Sequence, residues 1–216
     1  MSEKLKVAVL VEFHPFDIMG FQKMLWSFDD CDCYVQALDL FVQDEKNQEQ
    51  YDVVLYYNLS LPKPSETHMA WPYFENKLGR TAQGIILLHH ALLSFPGWDL
   101  WTDISGVAIR CVDGIFQYHP NQIVPSKIID AHHPITQGVH DWTMQDETYI
   151  MGEPSEDNHI LIKTDHVNSI KNLAWTRQYQ KSRVFCYASG HDDLSYSNNQ
   201  FRTILHQAIR WCARRI

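Results

Sequence analysis

Positive charge is in short supply in this 216-residue chain: 18 Lys and Arg stand against 26 Asp and Glu, for a formal charge of −8. An acidic surface repels phosphate backbones and anionic headgroups, so the balance argues against nucleic acid and membrane surfaces as partners. Long apolar runs are also missing, since no segment approaches the roughly 20 residues that cross a bilayer. The apolar stretch Val7 to Val11, behind the polar Met1 to Lys6, has neither the length nor the cleavage site of a signal peptide. Cysteine is sparse and scattered: Cys31, Cys33, Cys111, Cys186 and Cys212 are odd in number and include no C-x-x-C pair, which suits a reducing cytoplasm. There is no internal repeat, low-complexity tract or interdomain linker. A single domain over residues 1–216, large enough to bury its core without staples, is expected.

Buried-strand patterns are plentiful. Gly84-Ile85-Ile86-Leu87-Leu88 is a strand apolar on both faces, and it ends in His89-His90-Ala91. Strand ends of this kind are where open α/β sheets place their ligand crevice. Before it, Lys6 to Val11, Cys33 to Leu38 and Val53 to Tyr57 read as strands. A helix over Ile18 to Phe28 is capped by Asp17, and a second covers Ser65 to Leu78, ended or kinked by Pro72 and stopped by Gly79. This alternation predicts a mostly parallel sheet flanked by helices.

From Trp98 to Asp141 the pattern loosens. Gly106 to Val112, Gly114 to Phe116 and Ile123 to Ile129 read as small strands and loops in an insertion. Further strands are expected at Ile160 to Lys163, Leu173 to Trp175 and Arg183 to Ala188, the last ending at Gly190-His191-Asp192. The closing helix is read from the stripe Phe201, Ile204, Leu205, Ala208, Ile209 and Cys212, with Asn198 or Asn199 as its cap.

Five motifs in this order resemble the trehalose-utilisation (ThuA-like) family of the class I glutamine amidotransferase-like superfamily. They are Gly84 to Ala91 with Trp98; Gly114 to Pro120; His133 to Gly138; Asp146-Glu147-Thr148-Tyr149; and Ala174-Trp175 through Tyr187 to Gly190-His191-Asp192. The resemblance implies an α/β, flavodoxin-like fold and a role in the catabolism of trehalose or an oxidised sugar. This chain departs from the family in keeping only His14 in the loop after the first strand, and in carrying Asp113, Gln180 and Ser182 at turn positions where glycine is common.

An amidotransferase needs a thiol on a sharp strand-to-helix turn. Here the corresponding strand ends in histidine, with no cysteine between Cys33 and Cys111. Imidazoles and carboxylates remain, and they suit proton transfer on a sugar or binding of a divalent metal. The catalytic candidates are His89, His90, Glu147, His191 and Asp192, with Asp192 alternatively capping a turn. His14, Trp98, His119 and Trp175 are the substrate-binding candidates, the indoles offering faces for sugar C–H groups. His14, His89 and His191 are the candidate ligands if a metal is held, although no H-x-H or H-x-x-x-H spacing marks such a site. The expected pocket lies above the strands ending at Val11, Leu88 and Ala188. Two functions follow: an enzyme hydrolysing or isomerising a disaccharide-derived or keto-sugar, or a non-catalytic sugar-binding or assembly module. A small-molecule sugar is the expected partner, with self-association left open.

Overall fold

The computed structural model describes residues 3–216; Met1 and Ser2, the start of the polar N-terminal run, lie outside the described residues. One nine-stranded sheet organises the chain. Its parallel half comprises β1 (Leu5–Glu12), β2 (Cys31–Gln36), β3 (Val53–Asn58), β4 (Gly84–Leu88) and β9 (Ser182–Tyr187), in the order β2-β1-β3-β4-β9. That is the flavodoxin-like arrangement, with successive parallel strands ordered 2-1-3-4-5. β3 and β4 are buried along their whole lengths, as their unbroken apolar runs require. Each large apolar side chain fully withdrawn from water there contributes about 1.5–3 kcal/mol.

Beyond β9 the pairing changes sense. The strands β8 (Asn172–Tyr179), β7 (His159–Lys163), β5 (Gln117–Ile128) and β6 (Trp142–Ile150) continue the sheet entirely by antiparallel ladders. The sheet is therefore mixed rather than mostly parallel. What reads in sequence as an insertion of small strands and loops is the start of this antiparallel half. Ile123 to Ile128 belongs to the long strand β5, with Ile129 just past its end, whereas Gly106 to Phe116 is an irregular loop whose one tight turn is closed by a bridge between Val112 and Ile115.

The helices are α1 (Ile18–Trp26), α2 (Leu38–Gln43), α3 (Trp71–Asn76), α4 (Asp99–Ser105), α5 (Asp193–Ser197) and α6 (Asn199–Cys212). Asp17 caps α1 through the Gly20 amide, and Asn198 caps α6 through that of Phe201. The apolar stripe of α6 packs on β4 and β9. Gly84 permits the approach, because a Cβ there would lie 2.5 Å from Cys212 Cβ.

Other helices differ from the sequence pattern. The helix expected over Ser65 to Leu78 shrinks to α3, because Pro72 occupies its first turn, where the missing N–H costs nothing. Leu38 opens α2 instead of closing a strand, and α4 packs Trp101 and Ile104 into the core before Gly106 ends it in the left-handed conformation. Among the described residues, no helix is long and apolar enough to cross a membrane.

Candidate functional site

Four imidazoles meet at the C-terminal ends of the parallel strands. β4 ends at Leu88, and the chain turns sharply through His89 in a left-handed backbone conformation (φ +53°) into a 3₁₀ segment, His89–Leu93. A bulky residue held there is strained, and such strain concentrates at functional turns. The turn also means that the rings of His89 and His90 are not splayed to opposite faces as in a strand. They meet edge to face, 5.4 Å apart. The loop after β1 lays His14 on His90, with ring centroids 4.1 Å apart, and the turn after β9 brings up His191.

Each ring is fixed by its neighbours. Nδ1 of His89 lies 2.8 Å from the Ala188 carbonyl, which can only accept, so this nitrogen carries a proton. By the same logic His90 donates from Nε2 to the Tyr57 carbonyl at 2.9 Å. Its Nδ1 is then a buried acceptor with no partner, as is Nδ1 of His14 if that atom is unprotonated. Burial, reinforced by the neighbouring imidazoles, pushes both His14 and His90 below the ordinary histidine range, His90 strongly.

The carboxylate comes from the far edge of the sheet. β5 breaks register between His119 and Gln122, with Asn121 at positive φ. β6 reaches back over the ends of β4 and β9, as its contacts with their loops show. Glu147 and Tyr149, two apart on this strand, both reach the cluster. Glu147 Oε1 lies 3.6 Å from His89 Nε2 and 3.5 Å from His191 Nδ1, and the Tyr149 hydroxyl is hydrogen-bonded to His89 Nε2 at 2.6 Å. Burial works to raise Glu147, but its contacts with His89, His191 and Tyr149 outweigh it and hold the carboxyl below its ordinary value. Burial and the Glu147 charge push Tyr149 far up, so its hydroxyl stays protonated.

Asp146 supplies the frame. Its buried carboxylate accepts from the amides of Gly190 at 2.9 Å and His191 at 3.0 Å and from the Ser195 hydroxyl at 2.9 Å. Tyr57 and Tyr196 donate to the carbonyls of Gly190 and His191. The His191 turn is thus tied on both sides of its backbone.

A cleft of about 290 Å³ opens on this cluster, lined by His14, His90, Phe116, Tyr118, Glu147 and Tyr149 among others. The side chains of His89, Glu147 and His191 are 0%, 7% and 29% exposed; Glu147 lines the cleft, and His89 is fully buried behind it. A larger cleft of about 360 Å³ beside Glu12 and Asp39 lies apart from this chemistry. Its imidazole, His68, accepts from the Ala70 amide and sits 3.9 Å from Asp39.

Of the residues singled out in the sequence, His14, His89, His90, Glu147 and His191 come together. Asp192 does not: its carboxylate caps α5 by accepting from the Leu194 amide at 3.0 Å. Trp175 is fully buried with its N–H donated to the Ser105 carbonyl, and Trp98 stacks on Trp71 within an aromatic core group. Neither indole lines the cleft. His119 opposes Thr148 on the β5–β6 ladder and is likewise outside it. Glu147, rather than His14, completes a set of converging donor atoms with His89 and His191.

The sequence pattern gives no separate role to Asp146, Tyr57, Tyr149 and Tyr196, although Asp146 and Tyr149 flank Glu147 in one of the motifs. An aspartate inside an otherwise buried strand is the available signal, since such a carboxylate must find several donors.

A family model described as trehalose utilisation (ThuA) matches residues 19–212. A comparison with curated proteins finds no match. Among solved structures, the chain is similar to a ThuA-like protein of Parabacteroides merdae, with 18% identity over 98% of this chain and 90% of the other and a TM-score of 0.74. It is also similar to a protein of Salmonella typhimurium described as cytoplasmic, with 11% identity over 96% and 99% of the two chains and a TM-score of 0.63. A Thermoplasma acidophilum protein assigned to GMP synthase matches with 11% identity over 100% and 97% and a TM-score of 0.60. Identities this low speak to the fold, which is amidotransferase-like.

Proposed function

This chain belongs to the trehalose-utilisation (ThuA) family, and from that premise we propose that it is a cytoplasmic, single-domain enzyme of sugar catabolism. Its substrate in this reading is a disaccharide-derived or oxidised (keto) sugar, on which it performs proton transfer. The observation that carries the reading is that a carboxylate and a phenol, Glu147 and Tyr149, line one cleft and both reach His89. Glu147 is the proton acceptor, Tyr149 the donor, and His191 the exposed imidazole that shuttles or orients. His89 is fully buried, so it acts through Tyr149 and Glu147 as a positioning residue. The unpartnered Nδ1 of His90 is an acceptor for a sugar hydroxyl, and Phe116 and Tyr118 present ring surface to C–H faces.

The test is turnover of trehalose, other disaccharides and their keto derivatives by the purified protein and by Glu147→Gln and His191→Ala. Loss of a positioned acid or base lowers kcat by about 100-fold or more, with melting temperature and sugar binding retained. Sugar binding without turnover in the unmodified protein would instead identify a binding module.

A further inference from the structure

Three donor atoms at the centre of the cluster form a nearly equilateral triangle. His89 Nε2 to His191 Nδ1 is 3.2 Å, His191 Nδ1 to Glu147 Oε1 is 3.5 Å, and His89 Nε2 to Glu147 Oε1 is 3.6 Å. A tetrahedral ion with bonds of about 2.0–2.2 Å needs ligand–ligand edges of about 3.3–3.6 Å. Adjacent ligands of an octahedral ion at about 2.0–2.1 Å would be only about 2.8–3.0 Å apart. The triangle fits a tetrahedral face.

We propose that His89, His191 and Glu147 bind a divalent transition-metal ion of tetrahedral preference, zinc by donor type, with its fourth position toward the cleft. Two imidazoles and one carboxylate are a donor set of catalytic zinc sites, which hold three protein ligands and leave one position open. The surroundings fit as well. His89 donates its other ring N–H to the Ala188 carbonyl, the partner that fixes a ligating histidine, and Asp146 anchors the backbone of His191.

The polar groups of the cluster converge on one atom of His89. His89 Nε2 faces the Tyr149 hydroxyl at 2.6 Å and His191 Nδ1 at 3.2 Å.

The other group of potential ligands, Asp30, Cys31 and His206, does not suit a cation. Asp30 is engaged by His206 and by the guanidinium of Arg210 at 3.3 Å, and burial together with Asp30 pushes the Cys31 thiol up, away from the ligating thiolate.

With the ion bound, Glu147 and His191 act as ligands rather than as free proton acceptor and shuttle, so this inference stands apart from the proton-transfer reading and is tested without turnover. When bound, such an ion polarises a substrate carbonyl or hydroxyl oxygen. Protein stripped with a chelator and dialysed against micromolar Zn²⁺ takes up one equivalent by elemental analysis, and Co²⁺ in its place gives the intense visible bands of tetrahedral coordination. Glu147→Gln, which preserves shape, and His191→Ala, which trims a partly exposed ring, each weaken uptake by more than the roughly 10–100-fold that an outer-sphere partner costs. Circular dichroism confirms that both variants are folded, and Cys31→Ser binds as the unmodified protein does. No uptake by the unmodified protein, undiminished uptake by the two ligand variants, or loss only in Cys31→Ser overturns the proposal. Zinc uptake with no sugar turnover would sink the substrate reading and leave the metal site standing.

Discussion

His89 is conspicuous because of its backbone as much as its ring. Its left-handed conformation lets Nδ1 reach the Ala188 carbonyl while Nε2 faces Tyr149, so one residue's φ decides which nitrogen is available. Tyr149 is then the test of the residue-level reading. Tyr149→Phe removes the hydroxyl and leaves the ring in place. On a sugar that the unmodified protein turns over, kcat falls by about 100-fold or more with KM little changed, while zinc uptake persists. Loss of the buried hydrogen bond costs about 1–3 kcal/mol of stability, readable in a denaturant melt. An unchanged kcat removes Tyr149 from the chemistry. His89, His90, His191 and Glu147 were legible in the sequence because imidazoles and a carboxylate stood beside short apolar runs. The aromatic partners were not: Trp98 and Trp175 carry the same motif-bearing appearance as Tyr149, and only packing separates an indole that fills the core from a phenol that reaches a histidine.

At the scale of elements, the site depends on β6 returning from the sheet's far edge to the loop that follows β9. Asp146 is the fastening. Asp146→Asn keeps the size but replaces one acceptor oxygen with a donor facing amides or a hydroxyl, so at least one of Gly190, His191 and Ser195 loses its partner. The expected cost is about 1–3 kcal/mol, a fall in Tm of several degrees, roughly 2–4 °C per kcal/mol for a chain of this size. Differential scanning calorimetry checks it, and an unshifted Tm would show that the carboxylate does not hold the turn. The parallel strands were readable because burial on both faces leaves continuous apolar runs. The return of β6 was not, since it follows from antiparallel pairing and a broken β5 register that leave no local composition. The short helices α2 and α4 escaped for a related reason: with 6 and 7 residues they complete too few turns to establish a periodicity.

For the whole molecule, an amidotransferase-like sheet carries imidazole at the turn where an amidotransferase needs sulfur, and the remaining thiols are unsuited to replace it. Cys186 and Cys212 are fully buried, and burial pushes both thiols up. Cys33 is pushed up to about 12 by burial and Asp32, and Cys31 is raised by burial and Asp30. A thiol far above its ordinary range contributes almost no nucleophilic thiolate at neutral pH. Cys111, the remaining cysteine, lies on the turn preceding the Val112–Ile115 bridge and does not line the cleft. The native protein at pH 7 should therefore expose at most this one rapidly reacting thiol to a disulfide reagent, whereas all five react once the chain is unfolded. It should release no ammonia from glutamine, and its sugar chemistry should survive iodoacetamide under native conditions. Ammonia release abolished by iodoacetamide would require a reactive thiol that this packing does not provide.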